Sequence, residues 1–216
     1  MNKKTRKIVF WSVLMVVIAS VLYGAIIIVK SVPSHDQIVL TQPVNDTDWS
    51  RGPKDAKVTI VEYSDLQCPA CAYFNPIIED SVAKLNSQSV RFVYRHFPLS
   101  QHQNARNSIH YAEAAGKQGK FFEMSREMFA NQKDWENLTD PSPEFIKYAG
   151  KLGLNIAQLK IDAQSPAIES KINSDLLSGL DSGVHATPTF FINDKQVDMP
   201  PQDAAFLKII QDYLAK

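Results

Sequence analysis

Two cysteines constrain this chain more than any other feature. They are the only ones among 216 residues and stand two residues apart, in Cys68-Pro69-Ala70-Cys71. Val58-Thr59-Ile60-Val61-Glu62-Tyr63 precedes them, an alternating, β-branched run that predicts a strand. From Pro69 to about Asn86 the apolar residues Phe74, Ile77, Ile78, Val82 and Leu85 recur at helical spacing. Proline suits the first turn of a helix, where an amide proton would have no partner. The pair therefore sits at a strand-to-helix junction, an arrangement that points to redox chemistry. Cys68 falls where orphan N–H groups and the helix dipole favour an anion, which makes it the nucleophile candidate. Cys71, one turn in, is the resolving candidate. A purely structural bridge would close almost no loop and stabilise little. Zinc needs more ligands than the pair supplies, and His96, His102, His110 and His185 are not at finger-like spacing. No metal or other cofactor is expected.

Val90-Arg91-Phe92-Val93-Tyr94-Arg95-His96-Phe97 predicts a second strand, ended by Pro98. From His102 to about Asp181 the patterns are helical: His102–Ala115, Lys120–Asn131, a helix begun by a Ser142 cap and Pro143, a short one capped by Asn155, and a last one from Pro166. Pro76 lies inside the helix after the cysteines and removes the hydrogen bond to the carbonyl of Ala72. Thr187-Pro188-Thr189-Phe190-Phe191-Ile192 predicts a third strand, and Asn193-Asp194 a hairpin turn into Gln196-Val197. Phe206, Ile209, Ile210, Tyr213 and Leu214 mark a closing amphipathic helix. The fold class is α/β: a mixed sheet covered by helices and interrupted by about 80 helical residues.

The N-terminus carries a different signal. Ile8 to Val29 is a 22-residue run without charge. At about 1.5 Å per residue it spans a hydrocarbon core of roughly 30 Å. Four basic residues precede it, which predicts a cytoplasmic N-terminus and an extracytoplasmic remainder. A cleaved signal peptide would have a shorter apolar region and a small-x-small site. Either reading puts the cysteines where disulfides form and persist. The expected organisation is a cytoplasmic tip and transmembrane anchor over 1–30, a Pro33- and Pro43-containing linker over 31–49, and a folded domain over 50–216 with its helical insertion at about 100–182. The formal net charge is zero, which gives no support to a nucleic-acid partner. Five of the 23 basic residues lie in residues 1–30, leaving 18 against 23 acidic ones in the rest.

Two other features remain open on the residues alone. Thr187-Pro188 reads either as the start of an edge strand or as a cis proline. Glu62, six residues before Cys68, reads either as an exposed strand carboxylate or as a buried acid of raised pKa that exchanges a proton with Cys71.

Three separated stretches together resemble the DsbA-like thiol–disulfide oxidoreductases of the thioredoxin superfamily. They are Glu62 to Cys71, Arg95-His96-Phe97-Pro98-Leu99, and Gly183 to Asn193, and the resemblance covers roughly residues 50–216. It implies a thioredoxin-like fold with an inserted helical domain, a cis Pro188 facing the cysteines, and Glu62 as the buried acid beside the second cysteine. It implies catalytic roles for Cys68, Cys71, Thr187, Pro188 and Glu62, and contact with substrate at Pro69, Ala70, Thr187 and Pro188. The implied activity is disulfide formation in exported, cysteine-containing proteins, with a membrane partner that reoxidises the pair. A reductase or isomerase on the same fold and a tethered binding or chaperone module are the rivals. Pro-Ala stands between the cysteines where the best-known oxidases have Pro-His, which removes one stabiliser of the Cys68 thiolate. Thr187 stands where those oxidases carry valine, as in isomerases and several anchored relatives, and Ala186 replaces a frequent glycine. His185 reads either as a neighbour that tunes the pair or as a solvent-facing residue.

Overall fold

The structure, a computed structural model, describes residues 38–85, 89–198 and 203–216, together with residues 2, 6–7, 11, 14–18, 20–21 and 23. It divides into two units, Met1–Gln37 and Ile38–Lys216. The described residues from Arg6 to Tyr23 are helical. There the Ser20 hydroxyl donates back to the carbonyls of Val16 and Val17, at 3.0 and 2.9 Å. The expected membrane span over 8–29 lies largely outside the described residues, and among those described no helix is long and apolar enough to cross a membrane.

The second unit is built on five strands: β1 Trp49–Arg51, β2 Val58–Ser64, β3 Val90–His96, β4 Thr189–Ile192 and β5 Lys195–Val197, in the order β1-β3-β2-β4-β5. β2 and β3 run parallel, with Glu62 opposite Tyr94 and Ser64 opposite His96. Parallel strands need a crossover, and α1, Pro69–Lys84, supplies it. β4 returns antiparallel to β2, so Ile60 meets Ile192 and Glu62 meets Phe190. Asn193 and Asp194 both adopt positive φ, 46° and 67°, the conformation a two-residue hairpin turn demands.

Six helices lie between β3 and β4: α2 Ala105–Gly116, α3 Phe121–Ala130, α4 Gln132–Trp135, α5 Ser142–Lys151, α6 Ile156–Asp162 and α7 Pro166–Asp181. α8, Asp203–Leu214, closes the chain. α2 is the hub of the block, and its buried Ala112, Ala114 and Ala115 let α3, α5, α6 and α7 pack around it. Ser142 does not cap α5. Its amide is taken by the Asp140 carboxylate at 3.0 Å, which moves the cap to Pro141. Asn155 does cap α6, accepting from the Gln158 amide at 3.1 Å.

The sheet is buried on both faces. One face carries Val58, Ile60, Phe92, Tyr94, Phe190 and Ile192 under Ile77 and Ile78 of α1 and Phe206 and Ile210 of α8. The other carries Val61, Tyr63, Val93 and Phe191 with Leu40, Phe97 and Val184, and Leu176 of α7 packs against it. A Cβ at Gly179 of α7 would meet the Phe97 ring at 2.6 Å, so the glycine permits the close approach.

The expected linker is not a spacer from residue 38 onward. Val39 bridges Lys195, the Leu40 amide donates to the Asp194 carbonyl at 2.8 Å, and Thr41 bonds Ser182. Trp49–Arg51 is an edge strand on β3. Gly52, which follows it, has φ +90°, and a Cβ there would fall 2.2 Å from the Val90 carbonyl oxygen. Short polar strands of this kind carry no periodic signal of their own; their partners, Asp194, Ser182 and β3, lie far along the chain. Residues 31–37 of the expected linker lie outside the described residues.

Candidate active site

Cys68 is the N-cap of α1, with Pro69 at the first helical position, and its carbonyl accepts the first helical bond from Ala72 at 3.1 Å. Both cysteines are free thiols. The Cys71 side chain is wholly buried, and Cys68 is nearly so, while Pro69 and Ala70 between them are exposed. The two sulfurs differ sharply in acidity. The Cys71 thiol pointed at Cys68, the Thr187 side chain and the amides of Cys71 and Ala70 hold the Cys68 thiol down to about 5, against the opposing effect of burial. Burial pushes Cys71 well above the ordinary thiol range, and Cys68 and the Glu62 carboxyl add to the effect. One sulfur is thus a ready thiolate, and the other needs help to lose or regain its proton.

The loop that presents Cys68 is fixed to the helical block. The buried Asp65 carboxylate accepts from the amides of Gln67 and Leu99, at 2.7 and 2.8 Å, and pairs with His102 Nδ1 at 2.8 Å. The Asp65 carbonyl accepts from the Cys68 amide at 3.0 Å. Gln67 donates to the Glu136 carbonyl at 2.7 Å and accepts from the Asn104 amide at 2.6 Å, and Gln132 donates to the Leu66 carbonyl at 2.9 Å. These bonds fix the position of the loop, which would spare Cys68 part of the ordering cost of a reaction at its sulfur.

Thr187-Pro188 is a cis peptide, and β4 starts only after it, at Thr189. The expected strand therefore begins two residues late. The Cys68 thiol donates to the Thr187 carbonyl at 3.3 Å. The Thr187 side chain also helps to hold the Cys68 pKa down. His185 is exposed on the approach to this segment.

Glu62 is buried on the face of β2 that α1 covers, 2% exposed. Burial raises its pKa to about 8, the nearby Ser64 hydroxyl offsetting part of the rise and the charge on Cys68 adding to it. Of the two sequence-based readings of Glu62, the buried acid is the one observed. Ser64, Tyr94 and His96 share its face and are buried with it. Their association with Glu62 was not legible before the parallel register of β2 and β3 was known. Among the described residues no group of three or more His, Cys, Asp or Glu side chains is placed to hold a metal.

The sequence matches the thioredoxin family over residues 44–212. It is 35% identical over 161 residues to a protein named Na(+)/H(+) antiporter NhaA from Herminiimonas arsenicoxydans, a match covering 74% of this chain and 25% of that protein. It is 33% identical over 185 residues to Na(+)/H(+) antiporter NhaA 1 from Mycobacterium sp. (strain KMS), 84% of this chain and 29% of that one. The chain thus spans between a quarter and a third of these relatives, and the antiport in their names is said of the longer proteins. Oxidised BdbD from Bacillus subtilis superposes with a TM-score of 0.72 at 23% identity, covering 84% of this chain and 100% of BdbD. α-DsbA1 from Wolbachia pipientis gives 0.68 at 22%, covering 82% and 94%. DsbA2 from Pseudomonas aeruginosa gives 0.59 at 28%, covering 80% and 96%. The fold implied by the sequence resemblance is the fold observed.

Proposed function

The chain belongs to the thioredoxin family and has the fold of its DsbA-like members, and from that premise we propose that it is a thiol–disulfide oxidoreductase that forms disulfides in exported proteins. The observation that carries the direction is the unequal acidity of the pair, with Cys68 near 5 and Cys71 far above it. A thiolate stabilised in the reduced state makes the corresponding disulfide a stronger oxidant.

The reaction follows from the geometry. In the oxidised protein a substrate thiolate attacks Cys68 Sγ, the Cys68–Cys71 bond breaks, and Cys71 leaves and takes a proton from Glu62. A second substrate thiolate attacks the substrate sulfur of the mixed disulfide and expels Cys68, which stays a thiolate under the Cys71 thiol, the Thr187 side chain and the α1 amides. Two electrons pass from the substrate dithiol to the pair. Exposed Pro69 and Ala70, with Thr187 and Pro188, form the surface a substrate chain meets beside Cys68. Turnover requires a reoxidant, and a membrane protein fits a catalyst held at the bilayer. The charge-free run over 8–29 behind four basic residues supports an anchored protein with the cysteines outside the cytoplasm.

Two measurements test the proposal. The full-length protein, oxidised, should form disulfides in a reduced, unfolded protein, and Cys68→Ala should abolish this; a biological role left intact by Cys68→Ala would favour a non-catalytic binding role. The reduction potential tests direction. A value near DsbA's, roughly −120 mV, would support the oxidase. A value near −270 mV would assign the chain to the reductases.

A further inference from the structure

The loop that carries Thr187-Pro188 has few ties of its own. It leaves α7 at Ser182 and enters β4 at Thr189. Gly183, at φ 73°, turns the chain out of the helix. The amides of Gly183 and Val184 return to the carbonyls of Leu180 and Gly179, at 3.0 and 2.9 Å, and close the helix end. Near the other end the Thr189 hydroxyl donates to the Ala186 carbonyl at 2.7 Å. Among the described residues no backbone carbonyl accepts from the amides of His185, Ala186 or Thr187. Where the loop stands against Cys68 therefore depends on how its departure point, Ser182 to Val184, is held.

The segment that begins at Ile38 lies against this departure point. It is fixed on both sides without help from the loop. On one side Val39 bridges Lys195, the Ile38 carbonyl accepts from the Gln196 amide at 2.9 Å, and the Leu40 amide donates to the Asp194 carbonyl at 2.8 Å. On the other, Arg95 of β3 donates to the carbonyls of Gln42 and Pro43. Between these ties Thr41 meets Ser182. The Thr41 amide donates to Ser182 Oγ at 3.0 Å, and Thr41 Oγ1 lies 2.9 Å from the same oxygen. Ser182 gives its one hydroxyl hydrogen to the Ser178 carbonyl at 2.7 Å. Thr41 is therefore the donor in the hydroxyl contact, and Ser182 Oγ is saturated, with one bond given and two accepted. Apolar contacts reinforce the bond. Leu40 and Val184 belong to one buried cluster with Tyr63 and Phe191. Ile38 packs over Gly183, where a Cβ would meet its Cγ2 at 3.4 Å.

We propose that residues 38–41 brace the Thr187-Pro188 loop, with Leu40 and Thr41 as positioning residues for the reaction at Cys68. Thr41 acts through Ser182 and Leu40 through Val184, at the point where the loop leaves α7. The far end of the loop answers to the same segment, because β5, which residues 38–40 bridge, is the hairpin partner of β4. A loop that drifts loses two things at once. The Thr187 carbonyl moves from its 3.3 Å contact with Cys68 Sγ, and the surface that a substrate chain meets moves with it. Thr187 also helps to hold the Cys68 pKa down, so the thiolate registers the same drift. The proposal rests on the oxidoreductase reading of the site and adds to it a determinant that lies outside both the loop and α1.

The test compares wild type, Thr41→Val and Thr41→Ser in the full-length chain. Valine keeps the shape and the amide bond but not the donated hydrogen, whereas serine keeps both bonds. Thr41 is exposed, so neither substitution opens the core. The oxidised protein is reacted with a reduced two-cysteine peptide and, separately, with dithiothreitol, and the Cys68 thiolate is titrated in the reduced protein. Thr41→Val should lower kcat/KM for the peptide by about two- to tenfold, the worth of one hydrogen bond, and slow dithiothreitol by less than about twofold. The small dithiol does not need the Thr187-Pro188 surface. The Cys68 midpoint should rise above about 5, and Thr41→Ser should restore all three values. In a Ser182→Ala background Thr41→Val should add nothing, because the hydroxyl has no partner left to lose. Leu40→Val, which thins the packing on Val184, repeats the comparison from a second contact and decides it if Thr41→Val does not fold. Wild-type values in the variants, an equal fall with both thiols, or additive losses in the double variant would overturn the brace; an equal fall would leave the segment a stabilising element only. A wild type that leaves the peptide reduced would overturn the parent reading, and the Cys68 titration would then decide the brace by itself.

Discussion

Arg95 and His96 are neighbours in β3, yet their side chains leave the sheet on opposite faces and meet opposite conditions. Arg95 is 2% exposed. It forms a two-pronged pair with Asp48 at 2.9 Å on each prong. Its remaining donors reach the carbonyls of Gln42 and Pro43 and the Tyr63 hydroxyl, at 2.9, 3.0 and 3.0 Å. Tyr63 in turn bonds Ser178. On this face the buried charge is fully partnered. On the other, Glu62, Ser64, Tyr94 and His96 are equally buried, but three of the four carry an atom with no protein partner. A fully satisfied network has one state and holds the N-terminal segment onto the sheet. The other face holds Glu62, whose carboxyl helps to raise the Cys71 pKa.

The largest test of this contrast is Asp48→Ala. It would leave the Arg95 guanidinium buried and unpaired, and unfolding by urea should show a loss of about 3–5 kcal/mol. The Cys68 titration should not change; a shift would mean that the two faces are coupled. Glu62→Gln should act in the opposite direction. An unfolded glutamate titrates near 4.5, whereas the folded one holds its proton up to about 8. Wild-type stability must therefore fall as pH rises between those values, because the unfolded chain releases a proton that the folded chain keeps. With the pair oxidised, the glutamine variant should lack this slope and be more stable by about 3 kcal/mol at neutral pH. A flat wild-type profile would mean that Glu62 is solvated. Gly179→Ala should cost about 1–3 kcal/mol through its clash with Phe97, again without altering the cysteines. The smallest change is Thr187→Val, which removes the hydroxyl of that side chain. It should raise the Cys68 pKa above about 5 without restoring 9.0, because Cys71 and the α1 amides remain.

The parts legible in the sequence were those that local pattern determines. The strand and helix around the cysteines, the Asn155 cap, the Pro166 start of α7 and the Asn193-Asp194 turn all followed from nearby residues. The segment from Ile38 to Arg51 did not. What orders it is Arg95, Ser182 and β3, and no periodicity points to partners so far away. Glu62 attracted notice through its spacing from Cys68. Ser64, Tyr94 and His96 did not, because polar residues fall on both faces of β3 and only the register with β2 separates Tyr94 and His96 from Arg91 and Arg95. The cis peptide at Pro188 was one of two readings open on the residues, and the resemblance favoured it.

Everything proposed for the chemistry depends on Cys68 being a thiolate while Cys71 is not. Following the ultraviolet absorbance of the thiolate in the reduced full-length protein as pH is raised tests this directly. A single thiolate should appear with a midpoint of about 5, should vanish in Cys68→Ala, and should persist in Cys71→Ala at a higher midpoint, since the Cys71 thiol is its foremost stabiliser. A first midpoint near 9.0, or two thiolates forming together, would contradict the account.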